Sequence, residues 1–240
     1  MTSLVGTLTS RAVLVGSDKA VLHQQELRIT ETFFSLQGES SLSGLPTTFI
    51  RLTGCPLRCS YCDSEYAFHG GEKVRIEALA QICRDHGARH ICVTGGEPLA
   101  QPNVHLLLER LCDLDYQVSL ETSGALDISS VDQRVKIVMD VKTPSSKEES
   151  RNRLQNLAHL SAKDEIKFVI ADREDFDFSV ELTERYQQDY SAAHQAAVLF
   201  SPVHEDLEPA VLAEWMLKEK VAARFQIQLH KLLWGDKTGV

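Results

Sequence analysis

Apolar and polar positions along the chain fall into short runs of two kinds. Leu27-Arg-Ile-Thr-Glu-Thr-Phe-Phe34 alternates like a half-buried strand, and Thr47-Thr-Phe-Ile-Arg-Leu-Thr53 follows the Gly44/Pro46 turn signal as a second. Beyond them the period changes. Leu79, Ile82 and Cys83 share one face of a predicted helix over 76–86 that ends at Gly87. Pro102 stands where another helix can begin, with Val104, Leu107, Leu108 and Leu111 at i, i+3, i+4, i+7 spacing. Between and after these lie strand candidates His90–Thr94, Gln117–Glu121, Val135–Val141, Glu165–Ile170, Ala197–Phe200 and Phe225–Leu229, separated by helix-length segments. Strands alternating with helices imply an α/β fold with a mostly parallel sheet.

Residues 1–26 carry neither period and are read as a poorly ordered N-terminal extension, with 27–240 as one domain. No fixed repeat or low-complexity tract argues for a second domain. In either an open or a barrel-like parallel sheet, ligands gather at the C-terminal strand ends. The polar and glycine-rich clusters Gly54–Asp63, Thr94–Pro98, Glu121–Gly124 and Asp140–Ser146 all follow strands, so they are expected to converge on one face.

The formal charge of −9 disfavours direct nucleic-acid binding, because Lys and Arg are dispersed and form no dense run. No apolar run of about 18 residues or more suggests a membrane span. Six scattered cysteines without a signal peptide point to a reducing cytoplasm rather than a disulfide framework. A small-molecule substrate is the partner these features favour.

Chemistry is concentrated in Cys55-Pro-Leu-Arg-Cys59-Ser-Tyr-Cys62, three thiols that one short loop can aim at one point. Thiolates suit zinc or iron–sulfur clusters. Structural zinc prefers four ligands, and no second Cys-x-x-Cys pair is present, whereas a cubane held by three thiolates keeps one iron open. Cys83, Cys92 and Cys112 fall at apolar positions and are read as core residues. Thr94-Gly95-Gly96-Glu97-Pro98 follows an apolar strand, and its paired glycines would let a ligand approach the backbone.

The Cys-x3-Cys-x2-Cys spacing with Tyr61 before the last cysteine resembles the signature loop of the radical S-adenosylmethionine superfamily, and Gly95-Gly96-Glu97 resembles its glycine-rich motif. That resemblance implies a partial (β/α) barrel, a [4Fe–4S] cluster on Cys55, Cys59 and Cys62, and a 5′-deoxyadenosyl radical formed from S-adenosylmethionine. Phe33-Phe-Ser-Leu-Gln-Gly-Glu39, Arg51 and Cys62-Asp63-Ser64 narrow it further. With the cysteine loop they resemble the 7-carboxy-7-deazaguanine synthase family from about Leu27 to Trp234.

The resemblance implies a carbon–nitrogen lyase that contracts 6-carboxy-5,6,7,8-tetrahydropterin to 7-carboxy-7-deazaguanine with loss of ammonia, on the way to queuosine and other 7-deazapurines. Substrate contacts are implied for Leu36, Gln37, Gly38, Glu39, Thr94, Glu121 and His230, with Arg51 on the substrate carboxylate. Cofactor contacts are implied for Tyr61, Cys62, Asp63, Gly96, Glu97, Ser123, Asp140, Val141 and Lys142. Mg2+ would be bound through Ser64, where threonine is common in the family. Asp140-Val-Lys142 departs from the family's frequent Ser-Pro-Lys, which puts a side-chain role for Asp140 in question. A flavodoxin-type or other reductant and a homodimer are also implied. Two rival readings share part of the pattern: an activase that installs a glycyl radical on a partner protein, and a zinc-binding interaction module.

Overall fold

The computed structural model describes residues 24–235 and 237–240. All but the last three residues of the expected N-terminal extension therefore lie outside the described residues.

The elements, in chain order, are β1 (Glu26–Leu36), β2 (Pro46–Leu52), β3 (Glu72–Arg75), α1 (Ile76–His86), β4 (His90–Gly95), α2 (Val104–Asp113), β5 (Gln117–Thr122) and β6 (Lys136–Val141). They continue as β7 (Glu165–Ile170), α3 (Arg173–Asp189), β8 (Ala197–Pro202), α4 (Pro209–Glu219), β9 (Arg224–Phe225) and α5 (Leu229–Trp234). One sheet runs in the order β3-β1-β2-β4-β5-β6-β7-β8-β9. β1 is antiparallel to both of its neighbours, and every pair from β2 to β9 is parallel. Among the described residues the sheet does not close, so the architecture is the expected α/β partial barrel with a mostly parallel sheet.

Parallel strands covered on both faces need continuous apolar runs, and β4 buries every residue from His90 to Thr94. The predicted helical faces are largely the buried ones: Leu79 and Cys83 on α1, with Ile82 half-buried at its edge, and Val104, Leu107, Leu108 and Leu111 on α2. Gly87 adopts φ 71° and ends α1 in the left-handed conformation that a residue with a side chain resists. Cys83, Cys92 and Cys112 are all buried, in keeping with a packing role.

Three details depart from expectation. The β5–β6 connection holds no helix, because Asp127 and Asp132 accept from the Ser129 and Arg134 amides and shape it into side-chain-capped turns. The β6–β7 connection contains only short 3₁₀ turns, the first opened by Pro144 and ended by the left-handed Lys147. Of the strand expected over Phe225–Leu229 only Phe225 lies on the ladder, opposite Phe200, with Arg224 before it opposite Leu199. Beyond Gln226, whose amide still donates to the Phe200 carbonyl, the chain peels away from β8 towards the β1–β2 loop, with Gln226 Oε1 accepting from the Ser40 amide and Leu229 N–H donating to the Gly38 carbonyl. His230 therefore lies in the first turn of α5 and not at the end of a strand.

Candidate active site

The C-terminal ends of β2, β4, β5, β6, β7 and β8 surround a cavity of about 680 Å³, within the usual range of small-molecule sites. Its wall begins where β2 stops. Gly54, at φ 99°, turns the chain off the strand into the cysteine loop. The loop is tied down at several points: Gly54 N–H donates to the Ala67 carbonyl, Glu97 N–H to the Gly54 carbonyl and Ser60 N–H to the Ser146 carbonyl. Leu57 is buried beneath it. Cys55, Cys59 and Cys62 consequently face one cavity, half-buried and free of disulfides.

The paired glycines both line the cavity, and they also serve the fold. A Cβ at Gly95 would lie 2.4 Å from the Leu52 carbonyl oxygen, and one at Gly96 would lie 2.4 Å from that of Gly54 and 2.7 Å from Cys55 Cβ. Their lack of a side chain lets the β4 exit pack directly against the root of the cysteine loop. Glu97 departs from the expected cofactor contact. Its side chain is fully buried and accepts from Leu99 N–H, Thr122 Oγ1, Ser123 N–H and Ser123 Oγ, so it fastens the β4 and β5 exits together and does not line the cavity. The Val141 side chain is likewise buried away from the cavity.

Among the other expected cofactor positions, Tyr61, Asp63, Gly96, Ser123, Asp140 and Lys142 all line the cavity. Tyr61 is anchored by its hydroxyl, 3.2 Å from Thr143 Oγ1. Asp140 Oδ2 pairs with Lys142 at 3.2 Å and with Lys167 at 3.4 Å, while its buried Oδ1 has no partner among the described residues. Ser64 Oγ donates to Asp63 Oδ1 at 2.8 Å and makes no helix-capping bond.

The expected substrate residues form the adjoining wall. Leu36, Gln37, Gly38, Glu39, Arg51, Thr94, Glu121 and His230 line the same cavity. Arg51 Nε donates to Glu31 Oε1 at 2.8 Å, and Tyr66 donates to the same oxygen. The guanidinium lies 5.8 Å from the ring centroids of both Phe33 and Tyr66. Nε is thereby fixed, and the two terminal nitrogens have no protein partner among the described residues, leaving a fork suited to a carboxylate. Glu121 accepts from Gln37 Nε2 and from Thr94 Oγ1, each at 3.3 Å. Gly38 fits closely against His230: a Cβ there would lie 2.1 Å from His230 Nδ1.

Sequence patterns missed Lys167, Gln228, Glu31 and Tyr66. Lys167 Nζ lies 2.5 Å from Glu39 Oε2, and Gln228 Nε2 donates to Glu39 Oε1 at 2.7 Å. A signal for Lys167 was present, since a lysine flanked by Ile166 and by Phe168-Val-Ile170 in a predicted central strand must be buried and must find a counter-charge. Electrostatics then separate the two cavity carboxylates. Burial alone would raise the Glu39 carboxyl, but the Lys167 ammonium and the Gln228 amide hold it at about 2. Burial, followed by the charge of Glu39, raises Glu121. Burial lowers the His230 imidazole.

The donor set fits a cluster. Burial raises all three loop thiols, Cys59 to about 11, so their thiolates call for a cationic partner. Among the described residues no three His, Cys, Asp or Glu side chains converge as ligands of a single ion, whereas the thiolates of a cluster each bind a different iron.

A model of the Radical SAM superfamily matches residues 49–188 of the chain. Fold, cysteine loop and match together define an enzyme of that superfamily, which uses a [4Fe–4S] cluster and S-adenosylmethionine. The 7-carboxy-7-deazaguanine synthase of Koribacter versatilis is 39% identical over 226 residues, covering 88% of this chain and 99% of the relative. That of Chlorobaculum tepidum is 39% identical over 222 residues, covering 89% and 97%. The chain belongs to the 7-carboxy-7-deazaguanine synthase family. The fold also matches the crystal structure of QueE from Escherichia coli with a TM-score of 0.72 at 21% identity, over 90% of this chain and all of that one.

Proposed function

We propose that this chain converts 6-carboxy-5,6,7,8-tetrahydropterin to 7-carboxy-7-deazaguanine and ammonia, acting as a carbon–nitrogen lyase. The observation that carries the reading is one cavity that joins the three-thiol loop to a carboxylate fork at Arg51 and to the amide and carboxylate set of Gln37, Glu39 and Glu121. A pterin acid has matching ends. Its carboxylate suits the free Arg51 fork, and its pyrimidine edge of alternating donors and acceptors suits Gln37, Glu39 and Glu121. Polar partners buried this deeply penalise a ligand that fails to pair with them.

Cys55, Cys59 and Cys62 would hold the cluster, and the cavity around Tyr61, Asp63, Ser123, Asp140 and Lys142 would take S-adenosylmethionine. When bound, these cofactors supply the 5′-deoxyadenosyl radical used for hydrogen abstraction. The chain's own contribution is orientation. Arg51 holds the carboxylate end, Gln37 and Glu39 hold the opposite edge, and the apolar faces of Phe33 and Leu36 exclude water between them. Loss of ammonia with ring contraction involves no net oxidation, so the cofactor need not be consumed.

Ser64 Oγ, beside Asp63, is the hydroxyl we assign to Mg2+, with substrate and water oxygens completing its preferred octahedral shell. A cytoplasmic setting with a flavodoxin-type or other reductant suits six unpaired thiols and a cluster site. No helix among the described residues is long and apolar enough to cross a membrane.

The test is an anaerobic assay of reconstituted enzyme with reductant, S-adenosylmethionine and the carboxypterin, with and without Mg2+. The expected product is the deazapurine acid, formed faster with Mg2+. Failure to form it under either condition rejects the assignment.

A further inference from the structure

We propose that Lys167 is a positioning residue of this site, its ammonium wedged between Glu39 and Asp140 so that the Glu39 carboxylate stays ionised and turned into the substrate end of the cavity. The inference rests on the pterin reading above and extends it to a residue on β7 that carries no motif.

The geometry is specific. Lys167 stands between Ile166 and Phe168 in β7 and is 8% exposed. Its Nζ reaches Glu39 Oε2 at 2.5 Å and Asp140 Oδ2 at 3.4 Å. Gln228 holds the other oxygen of Glu39 at 2.7 Å, so that carboxylate is fixed from two sides by groups distant in sequence. Asp140 has a second cation in Lys142, at 3.2 Å. Lys167 therefore puts an ammonium within ion-pair distance of Glu39, whereas Asp140 keeps Lys142 as a partner without it.

Glu39 and Glu121 are two acidic groups in one low-dielectric cavity, where like charges resist joint ionisation. The groups acting on Glu39 are Lys167 from β7, His230 from α5 and Glu121 from β5, with Asp140 of β6 on the far side of Lys167. Lys167 breaks the symmetry by standing against Glu39. Glu121 instead takes neutral donors from Gln37 and Thr94, and its carboxyl is raised where that of Glu39 is held low. Glu39 is then the carboxylate of the pair held ionised as an acceptor, suited to the N–H groups of a pyrimidine edge. Lys167 itself need not touch substrate, because it acts through Glu39.

The experiment measures KM and kcat of the reconstituted holoenzyme for the carboxypterin from pH 7 to 9. It compares wild type with Lys167→Met, Lys167→Arg and the double variant Lys167→Met/Glu39→Gln, and follows S-adenosylmethionine binding in parallel. In Lys167→Met the ratio of variant to wild-type KM should be about 30-fold or more at pH 7 and should fall as pH rises, because a buried carboxyl without its ammonium must ionise to accept from substrate. Cofactor affinity should stay near wild type, and Lys167→Arg should restore most of the KM. The double variant removes both charges, so it should fold even where Lys167→Met does not, with a raised KM whose ratio to wild type is independent of pH. An active wild type together with an unchanged KM or a pH-independent ratio in Lys167→Met overturns the proposal alone. A pH-dependent ratio in the double variant does the same. A wild type that makes no deazapurine overturns the functional reading, and this proposal with it.

Discussion

Glu97 lies in the motif that family resemblance assigns to S-adenosylmethionine, yet its side chain is fully buried and occupied by protein donors. Replacing it with Gln separates the two roles. Two backbone amides depend on different oxygens of the carboxylate: Leu99 N–H on Oε1 at 3.0 Å, and Ser123 N–H on Oε2 at 2.8 Å. A glutamine has one acceptor oxygen, so it can satisfy only one of these amides and must turn its NH₂ towards the other. The Thr122 and Ser123 hydroxyls can rotate and accept from that NH₂, but a backbone N–H cannot. One buried, unsatisfied N–H costs about 1–3 kcal/mol, and losing charge assistance in the remaining bonds brings the total to roughly 2–4 kcal/mol. For a chain of this size that corresponds to a fall in Tm of roughly 4–16 °C. Thermal unfolding of anaerobically reconstituted wild type and Glu97→Gln reads the shift, and equilibrium binding of S-adenosylmethionine to the folded variant reads the cofactor role. A variant with wild-type Tm and lost cofactor binding would refute the reasoning and return Glu97 to the ligand.

Arg51→Leu should raise KM for the carboxypterin by about 30-fold or more, the scale of a charge-assisted carboxylate pair worth about 2–3 kcal/mol, while S-adenosylmethionine binding stays unchanged; steady-state kinetics check both. Gly96→Ala should lower the iron bound per chain after reconstitution, since its Cβ would meet the Gly54 carbonyl oxygen at 2.4 Å and push Cys55 off station; iron and sulfide analysis reads it. The Glu39 carboxyl, held at about 2 when folded against an ordinary value of 4.5, contributes stability above pH 4.5 that is lost as pH falls from there towards 2. The stability difference between wild type and Glu39→Gln should therefore narrow by up to about 3 kcal/mol over that interval in urea titrations, and parallel curves would contradict it.

What could be read from sequence, and what could not, follows from the range of the interactions. Apolar runs and helical faces are local signals, and they located the strands from Leu27 to Phe200 and the buried faces of α1 and α2, but not β3, whose Glu72-Lys-Val-Arg75 is mostly polar and exposed. The cysteine loop is equally local, with its three thiols inside one turn of chain. Phe225–Leu229 alternates as a strand should, but Gln226 and Gln228 hydrogen-bond to Ser40 and Glu39 across the molecule, and those distant bonds draw the chain off the ladder. The Lys167–Glu39 pair spans 128 residues, so strand β7 showed that a buried lysine needs a partner without showing which. Gly95, Gly96 and Glu97 are the instructive case. Residue types that suit a ligand also suit tight backbone packing and a buried acceptor, and only the positions of Leu52, Gly54 and Ser123 show that the fold itself uses them.

The most direct test of the account is a crystal structure of the anaerobically reconstituted enzyme with S-adenosylmethionine and the carboxypterin. The substrate carboxylate is expected on the terminal nitrogens of Arg51 and the pyrimidine edge on Gln37, Glu39 and Glu121, with Lys167 still bound to Glu39. A pterin lying the other way round, or one bound outside the cavity beneath Cys55, Cys59 and Cys62, would contradict it.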